Sequence, residues 1–142
     1  MHQWQSLLNN GNECFNKQNW LQAEYFYKEA ESHLDTLWSA NTMDVDLLMA
    51  WICAVHNLAT LFEIQGSNDV SLQYLLIPHH RMLKLSQHNQ SNEDLRLIAI
   101  KALKLTFTPL MIFAKKHPMC ADCEHGLNEF QRRLDSEQSS LH

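Results

Sequence analysis

Residues 11–30 read GNECFNKQNWLQAEYFYKEA, and the fold turns on how the apolar positions in and around this stretch are spaced. Trp4, Leu7, Leu8, Gly11, Cys14 and Phe15 recur at intervals of three and four, which predicts one face of a helix. The Gln18-Asn19 pair marks a break before Trp20. Beyond it Ala23, Phe26, Tyr27, Ala30, Leu34, Leu37 and Trp38 form a second stripe of the same period. A connection this short makes the two helices antiparallel neighbours.

The same alternation of long stripe and short break continues outward. SANTMD at 39–44 supplies capping residues, with Asn41 or Thr42 expected as N-cap of a third helix that runs to about Gln65. Its apolar surface includes Leu48, Trp51, Val55, Leu58 and Phe62 and is widened by Met49, Cys53 and Leu61. A stripe of that width places the helix centrally, with contacts on two sides. Gly66 is positioned to stop it. A fourth helix spans about 68–87 and should kink or restart at Pro78, where the ring removes a backbone donor. In the loop that follows, Ser91 with Asp94 approximates a capping box for a fifth helix. Leu103, Leu105 and Phe107 alternate with polar residues there, which reads locally as a strand. A lone strand would leave its backbone groups unpaired, so a helix from 92 to 116, kinked near Pro109, is the better reading. A sixth helix then runs from about Met119 to Asp135, and the chain ends in a short frayed tail.

Composition agrees. A 142-residue chain is most simply one domain, placed here at 1–138 with a tail at 139–142, and is long enough to bury a sizeable core without staples. Three Gly and three Pro leave little punctuation for many short strands. The expected class is all-α, with six helices in three antiparallel hairpins.

The 11–30 stretch resembles the tetratricopeptide repeat, a family of stacked helix-turn-helix units. The match lies in Gly11, Trp20, Ala23, Tyr27 and Ala30: small residues where helices cross and large ones filling the gaps between them. A weaker copy occupies 57–75, with Ala59 in the place of Gly11, Ser71 in that of Ala23 and Leu75 in that of Tyr27. The two copies lie 48 residues apart rather than the family's 34, and Pro78 falls where the family has a small residue. No repeat signature marks 92–135. Small bacterial families with such degenerate repeats are similar. The resemblance implies a right-handed superhelical stack whose concave side is lined by the first helix of each hairpin. Gln5, Leu8, Asn12 and Asn16 would then face a peptide groove from the first hairpin, and His56, Thr60 and Glu63 from the second. Repeats that clamp a C-terminal carboxylate carry a Lys where this chain has Leu8, and an apolar side chain cannot supply that charge-assisted bond. A mixed apolar and amide surface better suits an amphipathic helix or an extended peptide.

HPMCADCEH at 117–125 raises a separate question. Cys120 and Cys123 fall on one apolar seam with Leu127, Phe130 and Leu134, which reads as a helix whose first turn faces the core. At about 100° per residue His125 points away from both thiols, leaving His117, Cys120 and Cys123 as the local metal candidates. A structural zinc site would need a fourth ligand, such as His79 or His80. A redox pair would lack the βαβ setting in which C-x-x-C usually works. His79 and His80 read as surface or capping residues, and the four tryptophans as core, with Trp38 at a helix end also able to serve as an exposed contact.

The net charge of −5 is unevenly spread: residues 1–70 carry a balance of −7 and residues 71–142 one of +2. Nucleic acid binding by the first half would work against phosphate charge. No basic leader precedes an apolar run, and no uninterrupted apolar stretch reaches 18 residues, so the expected setting is cytoplasmic, with no membrane and no nucleic acid partner. No phosphate loop, zinc-protease helix or nucleophile elbow is present. The function expected is non-catalytic: a scaffold for a protein or peptide partner, without cofactor. A homodimer through open helical ends, and a small metal- or thiol-responsive regulator, are the alternatives.

Overall fold

The computed structural model describes residues 2–87, 92–118 and 121–140, with the backbone alone at 122, 123, 134 and 137–140. Its elements are α1 (Gln3–Asn16), α2 (Trp20–Ala40), α3 (Val45–Ile64), α4 (Asn68–Gln87), α5 (Glu93–Lys116) and α6 (Ala121–Ser140). Each helix packs chiefly on its neighbours in sequence, so the chain is an all-α stack of hairpins, and no strand occurs among the described residues.

The breaks between helices have definite causes. After α1 the Gln18 amide donates to Phe15 O and the Asn19 amide to Cys14 O, at 2.9 and 2.8 Å. After α3 the Gly66 amide donates to Glu63 O and the Ser67 amide to Phe62 O, at 3.0 and 2.9 Å. Both are Schellman closures, which need a left-handed residue at the turn. Gly66 supplies it freely at φ 82°, whereas Gln18 adopts φ 61° against the steric preference of an L side chain. The N-cap of α3 is Asp44, later than the expected Asn41 or Thr42. Its carboxylate accepts from the Leu47 amide at 3.1 Å and also complements the helix dipole. Asn92 caps α5, accepting from the Asp94 amide at 2.8 Å, while Ser91 of the expected capping box lies outside the described residues.

The 48-residue offset seen in the sequence is carried through α2 and α4. Ala23, Tyr27, Ala30, Leu34 and Trp38 are the buried positions of α2, and Ser71, Leu75, Pro78, Met82 and Ser86, each 48 residues later, are buried in α4. The one addition in α4 is His79. Gly11 faces Tyr27 so closely that a Cβ there would stand 2.6 Å from the ring. At the equivalent crossing in the second hairpin Ser71 Oγ donates to Ala59 O at 2.7 Å.

α3 is central, as its wide stripe requires. Trp51 on it is fully buried, stacks on Trp38 of α2 at 6.2 Å and donates from Nε1 to Glu31 at 3.1 Å. The Arg81 guanidinium of α4 lies 4.2 Å from the Trp51 ring and pairs with Asp35 at 2.8 Å, tying α2, α3 and α4 together. Trp38 is buried at 5% exposure and so is no exposed contact: Trp51 and Arg81 cover it.

Pro78 and Pro109 sit inside continuous helices, so α4 neither breaks nor restarts. The strand-like alternation in α5 also resolves: Leu103 and Phe107, four apart, are buried, while Leu105 between them is 52% exposed. α6 packs through Leu127 and Phe130 and continues to Ser140, past the expected end at Asp135, because no helix breaker intervenes. α3 and α5 are each long and apolar enough to cross a bilayer, with 50% and 44% of their most apolar windows buried within the stack.

Candidate functional site

The first helices of the second and third hairpins, α3 and α5, flank a groove floored by α4. Within it a recess of about 150 Å³ is lined by Thr60 and Glu63 of α3, Ser71 and Leu75 of α4, and Pro109, Ile112 and Lys116 of α5. Two of the seven residues that the sequence placed on a concave face, Thr60 and Glu63, therefore meet in one place. The α5 side was not singled out, since it carries no repeat signature. The signal available was an apolar side chain, Leu105 or Ile112, on the polar side of an otherwise regular helix.

One end of the groove is fixed by a polar latch. Glu63 Oε2 accepts from His117 Nε2 at 2.8 Å, and Asn68 Nδ2 contacts His117 Nδ1 at 3.2 Å. With Asn68 donating to Nδ1, the proton on Nε2 is the one offered to Glu63. The imidazole also packs on Phe113 at 4.5 Å, and Lys116 Nζ lies 3.9 Å from the second Glu63 oxygen. His117, the C-cap of α5, thus binds the α3–α4 turn to the end of α5.

The remaining groove candidates are distributed differently. Gln5 accepts from the His2 amide at 2.9 Å and closes the start of α1. Leu8, in the slot a carboxylate clamp would fill with Lys, packs half-buried against the core. Asn12 accepts from the Tyr27 hydroxyl at 2.7 Å, and burial pushes that phenol up to about 12. Asn16 is exposed at the end of α1. Thr60 is exposed and donates to its own helix at His56 O, 3.1 Å away. His56 is half-buried, its Nε2 has no hydrogen-bond partner among the described residues, and burial lowers its pKa below the usual imidazole value.

Of the metal candidates, His117 is held by Glu63 and Asn68, while Cys120 and the Cys123 side chain lie outside the described residues. Among the described residues no three His, Cys, Asp or Glu side chains converge on a point suited to a metal ion. His79 is neither a surface nor a capping residue: it is buried between Phe107 and Phe130, with ring centroids 5.7 and 4.5 Å away. Thr106 Oγ donates to Leu103 O at 3.1 Å, so His79 Nδ1, 3.2 Å from that oxygen, carries the proton and donates it there. Burial, aided by His80, lowers the His79 pKa to about 4. Its role is to seat α6 on the α4–α5 hairpin.

At the opposite end of the stack, two open hollows of about 530 and 570 Å³ adjoin at His2, Trp4 and Leu37. They lie where α1, at 14 residues, falls short of the 20-residue α3 and leaves the far part of α2 uncovered.

The family model described as "Protein of unknown function (DUF2753)" matches residues 2–142, and the chain belongs to that family. No curated protein and no solved structure matches it.

Proposed function

We propose that this chain is a non-catalytic, tetratricopeptide-like module that holds a peptide segment of a partner protein in the groove between α3 and α5. The observation that carries the reading is the recess at Thr60, Glu63 and Ile112, set between the first helices of successive hairpins. Its 150 Å³ is well below the roughly 300 Å³ at which small-molecule sites begin, and suits one side chain of a longer ligand. The latch of Glu63, Asn68 and His117 holds the groove walls in place before any ligand arrives, which reduces the ordering cost of binding. The test is a photo-crosslinking residue at Thr60 in native cells, with the same residue at Leu21 on the exposed side of α2 as control. One defined protein adduct at Thr60 and none at Leu21 is expected. Equal adducts at both positions, or none at Thr60, would refute the reading.

A second reading, a structural homo-oligomer, is favoured by the uncovered end beside α1, where Leu37, Met43 and Val45 are each more than 40% exposed. Sedimentation at high protein concentration decides it, since a monomer there excludes the oligomer.

A further inference from the structure

The exposed face of α5 carries side chains that the fold does not use. Leu105 and Ile112 stand 52% and 49% exposed on the same side of the helix, with Thr108 between them. Lys101 and Lys104 precede this line, and Lys115 and Lys116 follow it, all exposed. At about 100° per residue these positions fall within an arc of roughly 120°. Glu93 and Asp94 in the first turn are the only acidic residues on α5. Among the described residues, of these four lysines only Lys116 has an ion pair, a loose 3.9 Å contact to a carboxylate that His117 already engages at 2.8 Å. Pro109, which lines the recess, lacks the backbone N–H that an ordinary residue would offer to the Leu105 carbonyl.

Of the chain's own acidic side chains, Glu63 lines the recess and is engaged by His117, while Glu24, Glu29, Glu31 and Asp35 lie on α2, Glu124, Glu129 and Asp135 on α6, and Asp44, Asp46 and Asp69 near helix starts. Three lysines without an ion pair among the described residues and a loosely paired fourth surround two exposed apolar groups and form a surface complementary to a segment with the opposite pattern. We infer that this face binds an acidic peptide segment with an apolar side chain between its carboxylates. The inference rests on the groove reading above and names the chemistry of the partner. The apolar side chain enters the recess at Pro109 and Ile112, and the carboxylates reach Lys101 and Lys104 on one side and Lys115 and Lys116 on the other. Lys104 and Lys115 are separated by roughly 16 Å along the helix, a span of about five extended residues. One terminal carboxylate cannot bridge that distance, so side-chain carboxylates are what the face reads. A second copy of this chain is the weaker occupant, because each copy brings a net charge of −5 to the encounter.

The test uses fluorescence polarisation with a fluorescein-labelled, C-terminally amidated peptide of about ten residues, glutamates at both ends and a central leucine, and a counterpart with lysines for glutamates. The acidic peptide should bind at least about tenfold more tightly than its counterpart and weaken as salt is raised. Lys104→Glu with Lys115→Glu should cost about tenfold or more in that affinity, and Ile112→Ser should weaken it further, with the melting temperature unchanged because the side chains are exposed. Equal binding of the two peptides, or an unaltered affinity in the lysine variant, overturns the inference. So does a self-association, or a flotation with phosphatidylglycerol vesicles, that the lysine variant abolishes while acidic-peptide binding persists. A partner crosslinked at Thr60 that is still captured after lysine reversal leaves the groove reading standing and removes this one. Absence of any Thr60 adduct removes the groove reading, while the peptide assay still reports on α5 directly.

Discussion

Gly11 and Gly126 invite the same substitution with opposite outcomes. Replacing a helical glycine by alanine normally stabilises by about 1 kcal/mol, through backbone entropy. At Gly126 a Cβ meets nothing within 4 Å among the described residues, so Gly126→Ala should show up to that gain. At Gly11 the new Cβ would stand 2.6 Å from Tyr27 Cε1 and 2.7 Å from Cδ1. The ring cannot swing aside cheaply: Tyr27 is 2% exposed and its hydroxyl is bonded to Asn12 at 2.7 Å. Overpacking of this kind costs about 1–3 kcal/mol, and a strained tyrosine hydrogen bond adds about 1 more, so the balance against the glycine gain is a loss of about 1–3 kcal/mol.

For a chain of this length 1 kcal/mol corresponds to roughly 3 °C. Thermal denaturation should therefore show Gly11→Ala melting about 3–9 °C lower and Gly126→Ala up to about 3 °C higher than the parent. A double-mutant cycle locates the cause, because Tyr27→Leu removes the ring atoms in the way and should shrink the Gly11→Ala penalty. If Gly11→Ala raises the melting temperature, or if its penalty persists with Leu at 27, the close crossing of α1 and α2 is not what shapes this hairpin.

Gln18→Gly should stabilise by about 1 kcal/mol in a urea titration, since φ 61° strains glutamine and not glycine. Below pH 6.5 the protein should lose stability: the folded pKa of His79, about 4, lies under its ordinary value, so its contribution is complete above 6.5 and fades as pH falls toward 4. The loss between pH 7 and 5 is about 2 kcal/mol, increased by His56, whose pKa is shifted the same way, and His79→Asn should flatten that slope in denaturation curves taken across pH. Phe130→Ala should cost about 2 kcal/mol and speed amide exchange in α6 ahead of α1–α4, because its ring is what meets His79 and Phe107.

The parts of the fold legible in the sequence are those where local spacing and tertiary burial agree. Most of the stripes of α2 and α3, the stop at Gly66 and the crossing at Gly11 and Ala23 belong to this class, since period and small-residue placement are local signals, whereas Leu37 and Cys53, on those stripes by period alone, are exposed. Capping was less legible: Asn41, Thr42 and Asp44 are all chemically able to cap α3, and the one that does is selected by where packing of Leu47 and Leu48 sets the first turn. The local pattern, a histidine pair beside Pro78, marks His79 as a surface or capping group. Its burial depends on Thr106, 27 residues away, and on α6, neither of which a local pattern can announce.

The candidate groove shows a similar division, and it bears on how charge should be read from a sequence. Divided by chain halves, the excess of acid lies before residue 70 and argues against any acidic ligand. In three dimensions much of that acid sits on α2, where Asp35 pairs with Arg81, Glu31 accepts from Trp51 and Glu24 pairs with Lys28. Glu63, which does face the groove, is engaged by His117. What remains open beside the recess is the lysine face of α5. The half of the chain that a charge belongs to is a matter of connectivity, whereas a ligand responds to the helix face that presents it. Alternating hairpins separate the two, because consecutive helices turn opposite sides to solvent. The strand-like run at 103–107 came from the same cause: Leu105 is apolar on the face that packing leaves open, so the residue that disturbs the helical period is also the one that marks the proposed docking surface.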